Sequence, residues 1–253
     1  MTPQRRFLYH GEVVAYAARL DQPRLRDVKG AVALPGAGGR ASVLEPSDPG
    51  ALVRFDYAAS SVSGERYGDA YETRVTCSIE GLDVAGVLRA DLLSAVLTSS
   101  YVSDHHFCEE TVTLKGLWAN GEYRDADAQV LSSVRACPTL ARLRSAAVHD
   151  VRLHRSLAAA GTQFDPAGQP RTTGAGDIAC HLFDPPQLRF RADATDYQVF
   201  LGEYLMSERQ RRLTMMRIEM TPAGARDGKA ESSSSPEGTV VLLELRVNGH
   251  THP

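Results

Sequence analysis

The chain lacks any apolar run approaching the roughly 20 residues that a membrane helix needs, lacks a C-x-x-C pair, and lacks a strong charge of either sign. The first absence excludes a helical membrane span. The second argues against a zinc knuckle or a redox motif, because Cys77, Cys108, Cys137 and Cys180 are scattered along the sequence; reduced, mostly buried thiols are expected instead. The third, a formal net charge of −3 over 253 residues, leaves no global attraction to nucleic acid or anionic lipid, so neither partner is expected.

Catalytic signatures are missing as well. There is no G-x-S-x-G elbow and no S-x-x-K in a suitable context. The segment Leu34-Pro35-Gly36-Ala37-Gly38-Gly39-Arg40 is rich in glycine, but it fits neither the Walker loop nor the dinucleotide fingerprint, and no amphipathic helix follows it. It reads as a turn between strands. Arg5 and Arg6 precede an apolar stretch that His10 and Glu12 interrupt before a signal-type region can form, so a cytoplasmic chain is expected.

What is present is a β vocabulary. With 43% hydrophobic and 23% charged residues the chain can bury an ordinary core. One phrase occurs twice: Ile79-Glu80-Gly81-Leu82 through Gly86, and Leu114-Lys115-Gly116-Leu117 through Gly121, each reading as strand, turn, strand. A looser echo, Leu245 to Gly249, reads as a third hairpin element. The clearest period of two runs through Thr73, Val75, Cys77 and Ile79, with Arg74, Thr76, Ser78 and Glu80 on the opposite face. Leu8 to Val13 resembles Phe200 to Leu205, which raises the question whether the two strands pair and close a sheet.

The texture changes after the second phrase. Leu140, Leu143, Ala147, Val151, His154 and Leu157 recur at spacings of three and four between Pro138 and Gly161, which predicts one amphipathic helix near residues 139–160. Residues 161–177 read as a long loop, extending to Pro186 around a short strand, and residues 222–238, with Ser232 to Ser235, as a disordered insert. The expected fold is therefore a single all-β domain over residues 1–253, a mainly antiparallel sandwich or barrel with that one helix.

Candidate chemistry is thin. His106, Cys108 and Glu110 share one face if their segment is extended, and with Cys180 or His181 they could ligate a metal. A solvated strand start is the simpler reading, and neither metal nor cofactor is expected. His154 sits four residues after Asp150, within reach on a helix. Arg209, Arg211 and Arg212 form a local basic strip beside apolar Met215 and Met216, which suits edge-strand protection better than nucleic-acid binding. These residues lead to a non-catalytic protein that acts by binding or self-association, with a homo-oligomer expected. The alternative is a β-barrel enzyme or carrier whose small-molecule pocket lies under the 139–160 helix and the 161–186 loop, with His106, Glu110, His154 and His181 as its polar residues.

Overall fold

The computed structural model describes residues 6–46, 52–102, 105–208, 210–223 and 235–252. In chain order the elements are β1 (Arg6–Gln22), β2 (Leu25–Lys29), β3 (Val32–Ala33), β4 (Gly39–Pro46), β5 (Val53–Arg54), β6 (Tyr57–Tyr67), β7 (Ala70–Val84) and β8 (Leu88–Val102). They continue with β9 (His105–Lys115), β10 (Trp118–Ala119), β11 (Glu122–Tyr123), α1 (Gln129–Arg135), α2 (Leu140–Ala147) and α3 (Val151–Ala159). The last strands are β12 (Ile178–His181), β13 (Gln187–Ala192), β14 (Thr195–Met206), β15 (Gln210–Pro222) and β16 (Glu237–His252).

These strands form two antiparallel sheets. A terminal sheet, built from both ends of the described chain, runs β12-β14-β15-β16-β1-β2, with β13 on β14 and β3 on β1. A middle sheet runs β11-β10-β8-β7-β6-β4, with β5 on β7 and β9 on β8. The fold is an all-β sandwich. Among the described residues no strand order closes on itself, so the barrel form is not the one adopted.

The core follows from strand alternation, because every second side chain points between the sheets. Val75, Cys77 and Ile79 of β7 and Leu93, Ala95 and Leu97 of β8 are at most 1% exposed. Opposite them the terminal sheet contributes Leu213, Ile218, Leu242 and Leu245, all fully buried. Burial of such aliphatic side chains contributes about 1.5–3 kcal/mol each.

The repeated phrase has a backbone cause. Ala85-Gly86 and Asn120-Gly121 all take positive φ, the pattern of a type I′ hairpin turn that matches strand twist. Ahead of them, Gly81 and Gly116 sit at φ +64° and +62°, where a Cβ would lie 2.1 Å from Asp56 Oδ2 and 2.0 Å from Asp91 Oδ2. The Leu245–Gly249 echo is different: it lies inside β16, paired with β1 and β15, and makes no hairpin. Likewise β1 and β14 share the terminal sheet but are separated by β15 and β16, so the two similar strands do not pair.

The helical region departs from expectation. Two helices replace the single one near 139–160, because the Asp150 carboxylate accepts from Arg152 N and Leu153 N and starts a new helix there. Thr139 caps α2 in the same way, accepting from Arg142 N. Helix α1 went unforeseen, being only seven residues long with no side-chain cap. Residues 161–177 do form a loop, with one isolated bridge between Phe164 and Pro170. Of the 222–238 segment, Pro222 ends β15 and Glu237 begins β16, and residues 224–234 lie outside the described residues.

The helices fill one side of the sandwich, between β9 of the middle sheet and β12 of the terminal sheet. Arg135 of α1 donates to Glu110 O on β9, from Nε at 2.7 Å and also from Nη2. Ser156 of α3 exchanges two hydrogen bonds with the backbone of His181 on β12, at 2.6 and 2.8 Å. The guanidinium thus occupies an edge carbonyl that would otherwise be free to pair with another strand.

Candidate functional site

Beneath the helices a group of polar side chains gathers inside the sandwich. Strand alternation brings His106, Cys108 and Glu110 of β9 onto its inward face. Ser99 of β8 joins from beside them, and Tyr204 of β14 and Arg211 of β15 come from the opposite sheet. His106 Nε2 is 2.9 Å from Ser99 Oγ and 3.2 Å from Cys108 Sγ, and its ring stacks on Tyr101. The Tyr204 hydroxyl donates to Glu110 Oε1, a contact between residues 94 apart in sequence. Arg211 donates to the carbonyls of Ser207, Gln210 (3.1 Å) and Pro138 (3.2 Å), tying the β14–β15 turn to the α1–α2 connection. Glu110 Oε2 and Arg211 Nε are buried without a hydrogen-bond partner among the described residues.

A histidine beside a thiol is the arrangement that activates a cysteine nucleophile when the pair exists as thiolate and imidazolium. Here the electrostatics point the other way. Burial, reinforced by Arg211, lowers the His106 pKa to about 4, and burial pushes the Cys108 thiol up to about 11. At neutral pH the pair is therefore uncharged on both sides. Burial likewise raises Cys180 to about 12 and Cys77 to about 11. It also raises Glu110, against the opposing pull of the Tyr204 hydrogen bond and of Arg211.

The other candidate residues are dispersed. His181 is buried, with Nδ1 3.0 Å from Leu201 O, and does not join His106. His154 stacks on Phe164 at 4.1 Å, while the Asp150 carboxylate serves the α3 N-terminus and accepts from Ser133 Oγ, so the two do not form the expected pair. The basic strip is divided by alternation. Arg211 points inward and is 2% exposed, Arg212 points outward to Glu244 at 3.3 Å, and Arg209 lies outside the described residues. Among the described residues no three His, Cys, Asp or Glu side chains converge where they could hold a metal ion. A depression of about 550 Å³ does lie between α2, the loop after α3 and the β14–β15 turn, but its wall includes Leu140, Arg144, Thr172, Gly176, Ser207 and Glu208.

A second feature lies on the outer face of the middle sheet, and sequence reading saw only one strand of it. The outward residues of β7 are Arg74, Thr76, Ser78 and Glu80, and register places Ser61 and Ala59 beside the middle two on β6. On the other side Val96 and Ser94 of β8 pair with Thr76 and Ser78, and Thr111 and Thr113 of β9 continue the rows. Ser42 and Leu44 of β4 complete them, with Leu44 67% exposed. Two adjacent rows across five strands therefore carry no charge. The signal was present as Ser and Thr at alternate positions, but only register shows that they align.

The class this architecture defines is a two-sheet antiparallel β sandwich with a three-helix side layer. Residues 7–121 match a family model described as a domain of unknown function, DUF8256. That span covers less than half of the 253 residues and runs from β1 to the turn after β10, so it holds most of the middle sheet but only one side of the terminal one. No curated protein and no solved structure matches the chain. Among the described residues no helix is long and apolar enough to cross a membrane.

Proposed function

We propose that this chain is a non-catalytic structural protein that acts by self-association through its sheet surfaces. The observation that carries the proposal is the pair of adjacent uncharged rows on the outer face of the middle sheet, five strands wide, in a chain where 23% of residues are charged. Flat faces of small side chains are the surfaces on which sheets pack, about 10 Å apart. Charged residues are normally interspersed where a sheet faces only water.

The inward cluster supports the non-catalytic half of the reading. Its thiols stay protonated at neutral pH, so no thiolate nucleophile stands ready, and its imidazole, with a pKa lowered to about 4, is a weak proton acceptor. Arg211 and Arg135 spend their guanidinium groups on backbone carbonyls, which is joinery between sheet and helix. Four unpaired cysteines, three of them buried, suit a reducing, cytoplasmic setting.

Light scattering across a concentration series tests the reading. The expected particle mass is a multiple of the 27.4 kDa chain. A monomer at every concentration, including those of tens of micromolar, would refute it.

A further inference from the structure

We infer that the surface packed on the middle sheet is the same surface of a second copy, related by a two-fold axis that lies in the interface and crosses the strands. This rests on the self-association reading and adds the partner, the symmetry and the contacts.

The inference comes from the charges that flank the uncharged rows. On β7, Arg74 and Glu80 lie three residues to either side of Cys77; on β9, Glu109 and Lys115 lie three residues to either side of Val112. Cys77 pairs with Ala95 and Ala95 with Val112, so both centres fall on one line across the sheet. A two-fold axis above that line leaves each strand over its own copy and reverses its direction. Arg74 then faces the second copy's Glu80, and Glu109 faces its Lys115, each twice by symmetry. Two unlike charge pairs on two strands are thus satisfied by a single operation.

The uncharged positions fit the same axis. Thr76 meets Ser78, Ser94 meets Val96 and Thr111 meets Thr113, so small side chains meet small ones along the middle of the face. A face about 24 Å wide and about 24 Å long, from strand spacing and rise, has an area of about 600 Å² per copy. Two copies then bury about 1,200 Å², the lower end of stable interfaces. Arg74, Glu109 and Lys115 are exposed and Glu80 partly so, which leaves them able to pair across the gap.

Charge reversal tests the arrangement on the full chain. Glu80→Arg sets like charges against Arg74 at two symmetric places and is expected to weaken dimerisation about 100-fold or more by sedimentation velocity. Arg74→Glu combined with Glu80→Arg restores opposite charges and is expected to return the dissociation constant to within about tenfold of the parent. The pair Glu109→Lys and Lys115→Glu repeats the test on β9, should a β7 variant fail to fold. A parent chain that is only monomeric overturns both the self-association reading and this interface. An oligomer indifferent to Glu80→Arg and Glu109→Lys overturns the interface alone, and so does loss without recovery in both swapped doubles.

Discussion

Gly30→Ala perturbs the point where the two sheets are joined at the side away from the helices. Gly30 follows β2, is buried, and donates its N–H to Glu45 Oε1 on β4 at 3.1 Å. Its φ is +62°, and a Cβ there would lie 2.6 Å from the Cβ of Ala15, whose own position is set by the backbone of β1. Left-handed geometry costs an alanine about 1–2 kcal/mol, and forcing two carbons to that separation moves backbone at a further cost of about 1–3 kcal/mol. The expected loss is about 3 kcal/mol, or about 6–12 °C in Tm for a chain of this size. Gly86→Ala is the control, since φ is +74° but nothing lies within 4 Å of the added carbon, so only about 1–2 kcal/mol is expected. Ala15→Gly, itself costing about 1 kcal/mol, removes the obstructing carbon. In the double variant the two changes must therefore couple favourably by about 1 kcal/mol or more. Urea unfolding of the parent and the four variants measures this. Equal losses for Gly30→Ala and Gly86→Ala, or additivity in the double variant, would show that the Ala15 contact does not constrain this turn.

Two further outcomes follow from the inward cluster. Glu110 has a native pKa above its ordinary value of 4.5, so the unfolded chain gives up that proton first as pH rises, and stability from this group falls from about pH 4.5 until native Glu110 ionises. Glu110→Gln keeps an acceptor for Tyr204 and removes the slope, so the variant gains on the parent as pH increases through that window in paired urea titrations; a pH-independent difference would contradict the burial argument. With Cys77 and Cys108 at about 11 and Cys180 at about 12, these thiols should react with an aromatic disulfide reagent at pH 8 only after denaturant is added. A fast native reaction that Cys108→Ser abolishes would mean that the His106–Cys108 pair is activated after all.

Much of the fold was legible because its signals are local. The alternation around Val75, Cys77 and Ile79 depends only on the geometry of a strand, and Asn120-Gly121 carries its own turn chemistry. The same alternation placed His106, Cys108 and Glu110 on one face. Locality also explains the misreading at 139–160. Apolar spacing continues in phase through Val148 to Asp150, and the break comes from a side chain that caps the next helix instead of extending the first. The Leu245–Gly249 echo failed for the converse reason, since the strands on either side of β16 hold that segment extended.

By itself the sequence determined strand character, the hairpin turns and the lack of complete catalytic signatures, all of which depend on neighbours within a few residues. Only the tertiary structure decided sandwich over barrel, since closure depends on which distant strands pair. It likewise decided that Glu110 meets Tyr204 across 94 residues, and that Arg211 and Arg212 serve opposite faces of one sheet. The outer face of the middle sheet needed both levels. Each strand carries its own Ser and Thr, but a surface exists only once inter-strand hydrogen bonding sets the register, and a one-residue slip would turn those hydroxyls into the core.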